Sequence, residues 1–174
     1  MINCWFFAGS YSLCSKQHTI AQFYLLVKGG IVWLYYHSMS PKDCIFCKII
    51  AGEIPNYTIY EDGDTLAFLD IHPCAKGHTV IIPKQHRERT AGLSAVEGPA
   101  LMNAVQKTME RIQTVLGPDG FNVGWNDGSA AGQVVPHLHI HIFPRWVGDG
   151  GGSVHSIVKN PGEMSVAEVA KLFL

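Results

Sequence analysis

The sequence predicts an α+β domain built on a mostly antiparallel sheet. Three observations predict it. An apolar stripe at spacings of three and four runs through residues 95–116, two β-prone runs flank Asp62-Gly63-Asp64, and apolar residues alternate with histidines from Val135 to Phe143. A chain of 174 residues suits one domain with a sizeable core and is short for two. With 47% hydrophobic and 16% charged residues the composition is that of a packed interior. A net charge of −1 offers no electrostatic footprint for a nucleic-acid duplex. A small anion can still be held by local N–H groups and histidines. No run of eighteen apolar residues suggests a membrane-spanning helix.

Residues 1–39 form an atypical N-terminal extension, with apolar bursts at Trp5-Phe6-Phe7, 23–27 and 31–36. No basic residue precedes the first burst, unlike a signal peptide. The bursts read either as strands of an extra N-terminal hairpin with Gly29-Gly30 near its turn, or as disordered upstream sequence before a biological start at Met39, the reading preferred here. The domain proper is then 40–174. Cys44 to Ile50 suggests a short helix or turn, broken by Gly52-Glu53-Ile54-Pro55. Thr58–Glu61 and Thr65–Asp70 around Asp62-Gly63 read as a hairpin. His78 to Pro83 is a third strand, ended by a residue that cannot donate to a ladder.

The long helix carries Val96, Leu101, Met102, Val105, Met109, Ile112, Val115 and Leu116 on one face, read as core. Ser94 with Glu97 forms a capping box, and Gly117-Pro118 ends the helix. Gly120 to Trp125 is a fourth strand and Val135 to Phe143 a fifth, ended by Pro144-Arg145-Trp146. Ser165 and Glu168 start a last short helix.

The fifth strand bears the chemistry. Alternate residues of a strand share a face, so His137, His139 and His141 line one side while Leu138, Ile140 and Ile142 enter the core. Imidazole is a nucleophile, a proton carrier near neutral pH and a metal ligand. The residues alone leave two readings open, a nucleophilic site and a zinc site using two or three of the histidines. The loop from Asn126 to Gln133 carries glycines that let main-chain N–H groups approach an anion, and Asn126 and Gln133 can donate to phosphate oxygens. Five cysteines (4, 14, 44, 47 and 74) at irregular spacing argue against a disulfide framework and for a reducing, cytoplasmic compartment. Cys44-x-x-Cys47 by itself is redox-active, metal-binding or a buried thiol pair. No βαβ pattern favours a thioredoxin-like site. Cys74 reads as a buried or semi-exposed thiol, and His72 and His155 as loop residues.

Together His137-Leu138-His139-Ile140-His141-Ile142-Phe143 after Gly132-Gln133, Cys44 to Ile50, Leu66 to Ile71 and Lys76 to His86 resemble the histidine-triad (HIT) family, in its Hint-like nucleoside-phosphoramidase branch. The resemblance covers most of residues 44–146. It implies a HIT-like fold with a five-stranded sheet, one long helix and a short C-terminal helix. It also implies cleavage of nucleoside 5'-phosphoramidates or other AMP conjugates through a nucleotidyl-histidine intermediate. His139 would attack phosphorus, His141 would contact phosphate or protonate the leaving group, and His78 would orient the triad. Asp70 would hold the ribose, and Ile45, Phe46, Phe68 and Ile71 the base. Asn126, Gly132, Gln133, Val134, Val135 and His141 would bind the phosphate. Relatives often carry Ser or Thr where this chain has Val134, which removes a hydroxyl near the leaving group.

The resemblance further implies a structural zinc on Cys44, Cys47, His86 and His137, and a homodimer. Strict alternation would set His137 beside His139, yet the implied roles give them different centres. Three alternatives remain: a dinucleoside polyphosphate hydrolase or phosphorylase, a nucleotide-binding scaffold with little turnover, and a hydrolytic zinc enzyme.

Overall fold

The structure is a computed structural model that describes residues 2–7, 11–16, 21–27, 30–36, 42–158, 160 and 162–173; within 2–36 it describes backbone pairing. There, β1 (Ile2–Phe7) pairs antiparallel with β2 (Tyr11–Lys16), and β3 (Ala21–Val27) with β4 (Gly30–Tyr36), as two sheets apart from the main one. Val27 stands opposite Gly30. Gly29 and the expected start at Met39 lie outside the described residues.

The remainder comprises α1 (Ile45–Ile50), β5 (Thr58–Glu61), β6 (Thr65–Leu69), β7 (Thr79–Pro83), α2 (Glu97–Leu116), β8 (Gly120–Gly124), β9 (Ile140–Arg145) and α3 (Val166–Ala170). The five strands order β5-β6-β7-β9-β8, with every neighbouring pair antiparallel. The predicted hairpin forms because Asp62 mimics a turn. Its Oδ1 accepts from the N–H groups of Asp64 (2.9 Å) and Thr65 (2.7 Å).

Helix α2 starts two residues later than predicted. The capping bonds are nevertheless present, with Ser94 N–H donating to Glu97 Oε2 (2.7 Å) and Glu97 N–H to Ser94 Oγ (3.4 Å). Gly117 ends the helix at φ 57°, a left-handed conformation that glycine adopts without a Cβ clash. The predicted apolar stripe needs a correction. Leu101, Ala104, Val105, Thr108 and Ile112 face the sheet, with Met109 and Leu116 at its margin. Val96, Met102 and Val115 point outward and are 75%, 58% and 72% exposed. Small Ala104 and Thr108 occupy the contact instead, which lets the helix lie close to the strands.

The sheet has two differently used faces. Ala67, Ile81, Ile140 and Ile142 pack under α2. Leu66, Phe68, Val80 and Ile82 face the other way and pack with Ile49 of α1. Burying an aliphatic side chain of this kind contributes about 1.5–3 kcal/mol, so both faces hold the sheet flat against their partners.

The histidine segment is also corrected. The strand begins at Ile140, not Val135, and Pro144 lies inside it opposite Phe121. Pairing with β7 ends at Ile142, so the missing N–H of Pro144 disturbs no bond on that side. Residues 135–139 form an irregular lead-in, with His137 N–H donating to the Val135 carbonyl at 2.8 Å.

Candidate functional site

The irregular lead-in separates the three histidines. His137 is fully buried and turns its ring away from the other two. Its Nε2 lies 2.9 Å from the Pro83 carbonyl, which can only accept, so the proton sits on Nε2. That leaves the Nδ1 lone pair facing Cys44 Sγ (3.4 Å) and Cys47 Sγ (3.7 Å). His86 Nδ1 stands 3.3 Å from Cys47 Sγ. One donor atom from each of Cys44, Cys47, His86 and His137 falls within 4.8 Å of all the others. Tetrahedral zinc with sulfur and nitrogen ligands would set S···N separations of about 3.5 Å. Buried His86 Nε2 has no hydrogen-bond partner among the described residues, and burial pushes the Cys47 thiol up to about 11. Two thiols and two imidazoles held so close without compensating charge are the donor set of a closed structural metal site, and zinc fits it.

His139 has the opposite tautomer. Its Nδ1 is 2.7 Å from the carbonyl of His137, so Nδ1 carries the proton and Nε2 keeps its lone pair. His139 is buried and packs edge-on against His141 (5.0 Å between rings) and Phe46 (5.2 Å). Phe46 also meets His137 at 5.8 Å and Phe68 at 5.9 Å, and so stands between the thiol cluster and the nucleophile candidate.

A second hydrogen-bonded line runs behind the triad. Cys74 N–H donates to His78 Nδ1 (3.3 Å), which places the His78 proton on Nε2, 2.9 Å from His141 Nδ1. His141 then carries its own proton on Nε2. Burial pushes His141 down to about 4, with the neighbouring imidazoles His139 and His78 adding to the effect. Burial also lowers His78, against the pull of the Asp70 carboxylate 3.6 Å away. Asp70 Oδ1 accepts from His72 N–H at 2.8 Å. The line is therefore neutral at physiological pH and can pass a proton.

The loop expected to hold phosphate runs from Asn126 to Gln133. Gly128 and Gly132 take φ of 98° and 92°. The N–H groups of Val134 and Val135 have no acceptor among the described residues, and the Val134 side chain is 89% exposed. Asn126 Nδ2 reaches the Gly132 carbonyl at 3.5 Å. Gln133 braces the loop instead of pointing free. Its Oε1 accepts from Gly128 N–H (2.7 Å) and its Nε2 donates to the Glu88 carbonyl (2.8 Å). Of the residues expected around a base, Phe68 is buried in the sheet core and Phe46 half-buried, while Ile45 and Ile71 are 44% and 73% exposed. Cys74, His72 and His155 are exposed.

Sequence reasoning missed three parts. Phe143 stacks on His78 (4.3 Å) and His141 (5.6 Å); strand parity with His141 could have found it. The Pro83 carbonyl that fixes His137 carries no sequence signal. A brace of Thr90, Asp127 and Trp125, with Thr90 N–H on Asp127 Oδ2 at 3.0 Å and Trp125 Nε1 on Thr90 Oγ1 at 2.9 Å, anchors the loop.

These features define the class to which the chain belongs. The HIT domain family matches residues 51–147, more than half of the sequence, and the chain is a member of that histidine-triad family. Within it the chain is Hint-like. It is 50% identical over 117 residues to a HIT-like protein of Methanocaldococcus jannaschii, covering 67% of this chain and 90% of that one. It is 42% identical over 103 residues to an adenosine 5'-monophosphoramidase of Schizosaccharomyces pombe (59% and 74%). It is 44% identical over 108 residues to an adenylylsulfatase of Arabidopsis thaliana (62% and 55%). Among solved structures, a HIT family protein of Bacillus subtilis aligns with TM-score 0.66 at 39% identity, covering 75% of this chain and 92% of that one. A zinc-bound histidine triad protein of Mycobacterium smegmatis aligns with TM-score 0.62 at 34% identity (71% and 86%).

Proposed function

We propose that the chain hydrolyses AMP conjugates, foremost nucleoside 5'-phosphoramidates, through a nucleotidyl intermediate on His139. The observation that carries this reading is the His139 tautomer. Nδ1 is locked to the His137 carbonyl, which leaves the lone pair on Nε2. An imidazole so held attacks without first losing a proton.

In the first step His139 Nε2 forms a bond to the α-phosphorus and the P–N bond to the leaving amine breaks. The electron pair goes to the amine nitrogen, which takes a proton from His141 in its imidazolium form, the extra proton having been taken up from solvent as the negatively charged phosphoryl group binds beside it. In the second step water attacks phosphorus, His139 leaves, and the water proton returns to His141. The His78–His141 line, with the Cys74 N–H behind it, keeps that proton on the correct nitrogen. The N–H groups of Val134 and Val135 with Asn126 hold the phosphoryl oxygens, whose charge grows in the transition state. Asp70 binds the ribose, its Oδ2 remaining available beyond the His78 contact, and Phe46 and Ile71 flank the base. The phosphoramidase and adenylylsulfatase names of the two relatives favour an adenylyl group on the substrate.

Zinc, when bound by Cys44, Cys47, His86 and His137, supplies a structural link between α1, the residues after β7 and the histidine segment. Four protein donors leave no position for a metal-bound water, which weighs against the hydrolytic zinc reading. We further propose a homodimer formed through the outer face of α2, supported by exposed Met102 beside a shallow cavity lined by Val105, Met109 and Phe121.

The test is His139→Gly. Turnover of an AMP amidate should fall at least about 10⁴-fold while AMP binding persists. Mass spectrometry of the quenched wild-type reaction should map a nucleotidyl adduct to His139. Undiminished turnover in the variant removes the proposed nucleophile.

A further inference from the structure

His78 and His141 meet end to end, with Nε2 of the first 2.9 Å from Nδ1 of the second and 5.1 Å between ring centroids. One phenyl ring stacks on both. Phe143 lies 4.3 Å from His78 with 25° between the planes, and 5.6 Å from His141 with 20°. The strands dictate this placement. Residues two apart on a strand share a face, which sets Phe143 beside His141 on β9. His78 directly precedes β7, whose Val80 stands opposite His141. Ile140 and Ile142 supply the core side of the strand, and Phe143 belongs to neither apolar cluster of the sheet. Its ring is committed to the two imidazoles.

The face of an aromatic ring is negative and attracts a cation within about 6 Å of its centroid. Both imidazoles fall inside that reach, so a proton taken up by either of them sits over the same face. Burial works the other way and disfavours the charged form of both rings. The other charges around the pair are few. From the end of β6, Asp70 Oδ2 stands 3.6 Å from His78 Nδ1 and favours an imidazolium. His139, 5.0 Å from His141 between rings, opposes a second positive charge. The Cys74 thiol is exposed, and its residue meets His78 through the N–H. Beyond Phe143 opens a groove of about 600 Å³ lined in part by Lys76 and Arg145. Arg145 is neutralised by Asp149, which folds back to accept from Nε and Nη2 at 2.6 Å each. From β8, uncharged Gly124 and Asn122 stand opposite His141 and Phe143.

We propose that Phe143 is a positioning residue for leaving-group protonation: its face holds the His78–His141 pair in line and stabilises the imidazolium that donates to the departing amine. This role rests on the nucleotidyl-transfer reading above and adds a dependence on the substrate's second half. Amines, which must leave with a proton, need the ring. Leaving groups that depart as stable anions do not.

The experiment measures single-turnover rates of nucleotidyl transfer across the neutral and alkaline range in the wild-type chain, Phe143→Leu and Phe143→Tyr. Two substrates are compared, the unsubstituted AMP amidate and the p-nitrophenyl ester of AMP, whose phenolate leaves without a proton. Leucine keeps the apolar bulk and removes the negative face. Losing that face weakens the protonated form, so the alkaline limb of the amidate profile should move about one unit to lower pH, with the rate on that limb about tenfold slower. The ester rate should stay within about twofold of the wild type. Tyrosine keeps the ring and should restore the amidate rate. Equal losses on both substrates with an unmoved limb, an undiminished amidate rate in Phe143→Leu, or no recovery with tyrosine overturns the role. A wild-type chain that forms an adduct from neither substrate overturns the nucleotidyl-transfer reading itself, a different and recognisable result.

Discussion

His137 and His139 stand two residues apart and hold their protons on opposite nitrogens. Each is fixed by a main-chain carbonyl, Pro83 for the first and His137 for the second. His141 adds a third environment, where burial keeps the ring neutral down to a pH of about 4 against an ordinary 6.5. The sign of the resulting pH dependence follows directly. An unfolded chain binds a proton at this residue below about 6.5 that the folded chain refuses until about 4, so folding stability drops as pH falls through that window. His141 is only partly buried, and screening by solvent limits its share to at most about 1 kcal/mol per pH unit. His78 acts in the same direction. Thermal melts between pH 7 and 4.5 should therefore show Tm declining steadily with acid. In His141→Gln, which cannot take up that proton, the slope should be shallower.

Among the elements, those with a strong local signal were legible from the residues alone. The stretch ending in Gly117-Pro118 gave α2, and the Asp62 turn gave the β5–β6 hairpin, because capping and turn chemistry are written in a few adjacent side chains. The start of β9 was not legible. Alternation extends back to Val135, but Pro136 and the bond from His137 N–H to the Val135 carbonyl hold that stretch out of the ladder. The same irregularity gives the rings of His137 and His139 different surroundings, as the roles implied for them require. Which helix residues face outward was also hidden, since Met102 and Val115 are apolar and only packing against the sheet selects Ala104 and Thr108 instead. The four-donor cluster spans three elements of structure and depends on a family likeness, since C-x-x-C alone has several meanings. With zinc bound, Cys47→Ala should abolish stoichiometric metal in elemental analysis. It should also cost at least about 3 kcal/mol of stability, because the cluster joins α1 to the segment entering β9. An unchanged metal content would remove Cys47 from the ligand set.

At the largest scale, the five-stranded sheet divides its labour between its two faces. One face is committed to packing under α2 and the other to chemistry beside α1. The exposed Val96, Met102 and Val115 lie on the outer surface of α2. Met102→Glu should shift the chain from dimer to monomer in analytical ultracentrifugation while leaving the helix content intact. A monomeric wild-type protein would count against the dimer. The fold class, the order of elements and the identity of the triad were readable in the sequence because they rest on periodicity and on a dense motif. The groove beyond Phe143 was not, since Arg145 and Asp149 become informative only once the chain doubles back between them.

The peptide unit of His137 touches two territories at once: its imidazole looks toward the thiols and its oxygen grips the ring of the attacking residue. Only the Cα–C, Cα–Cβ and Cβ–Cγ bonds of one residue intervene between them. A shift of the thiol corner therefore reaches the aim of the nucleophile through a single residue.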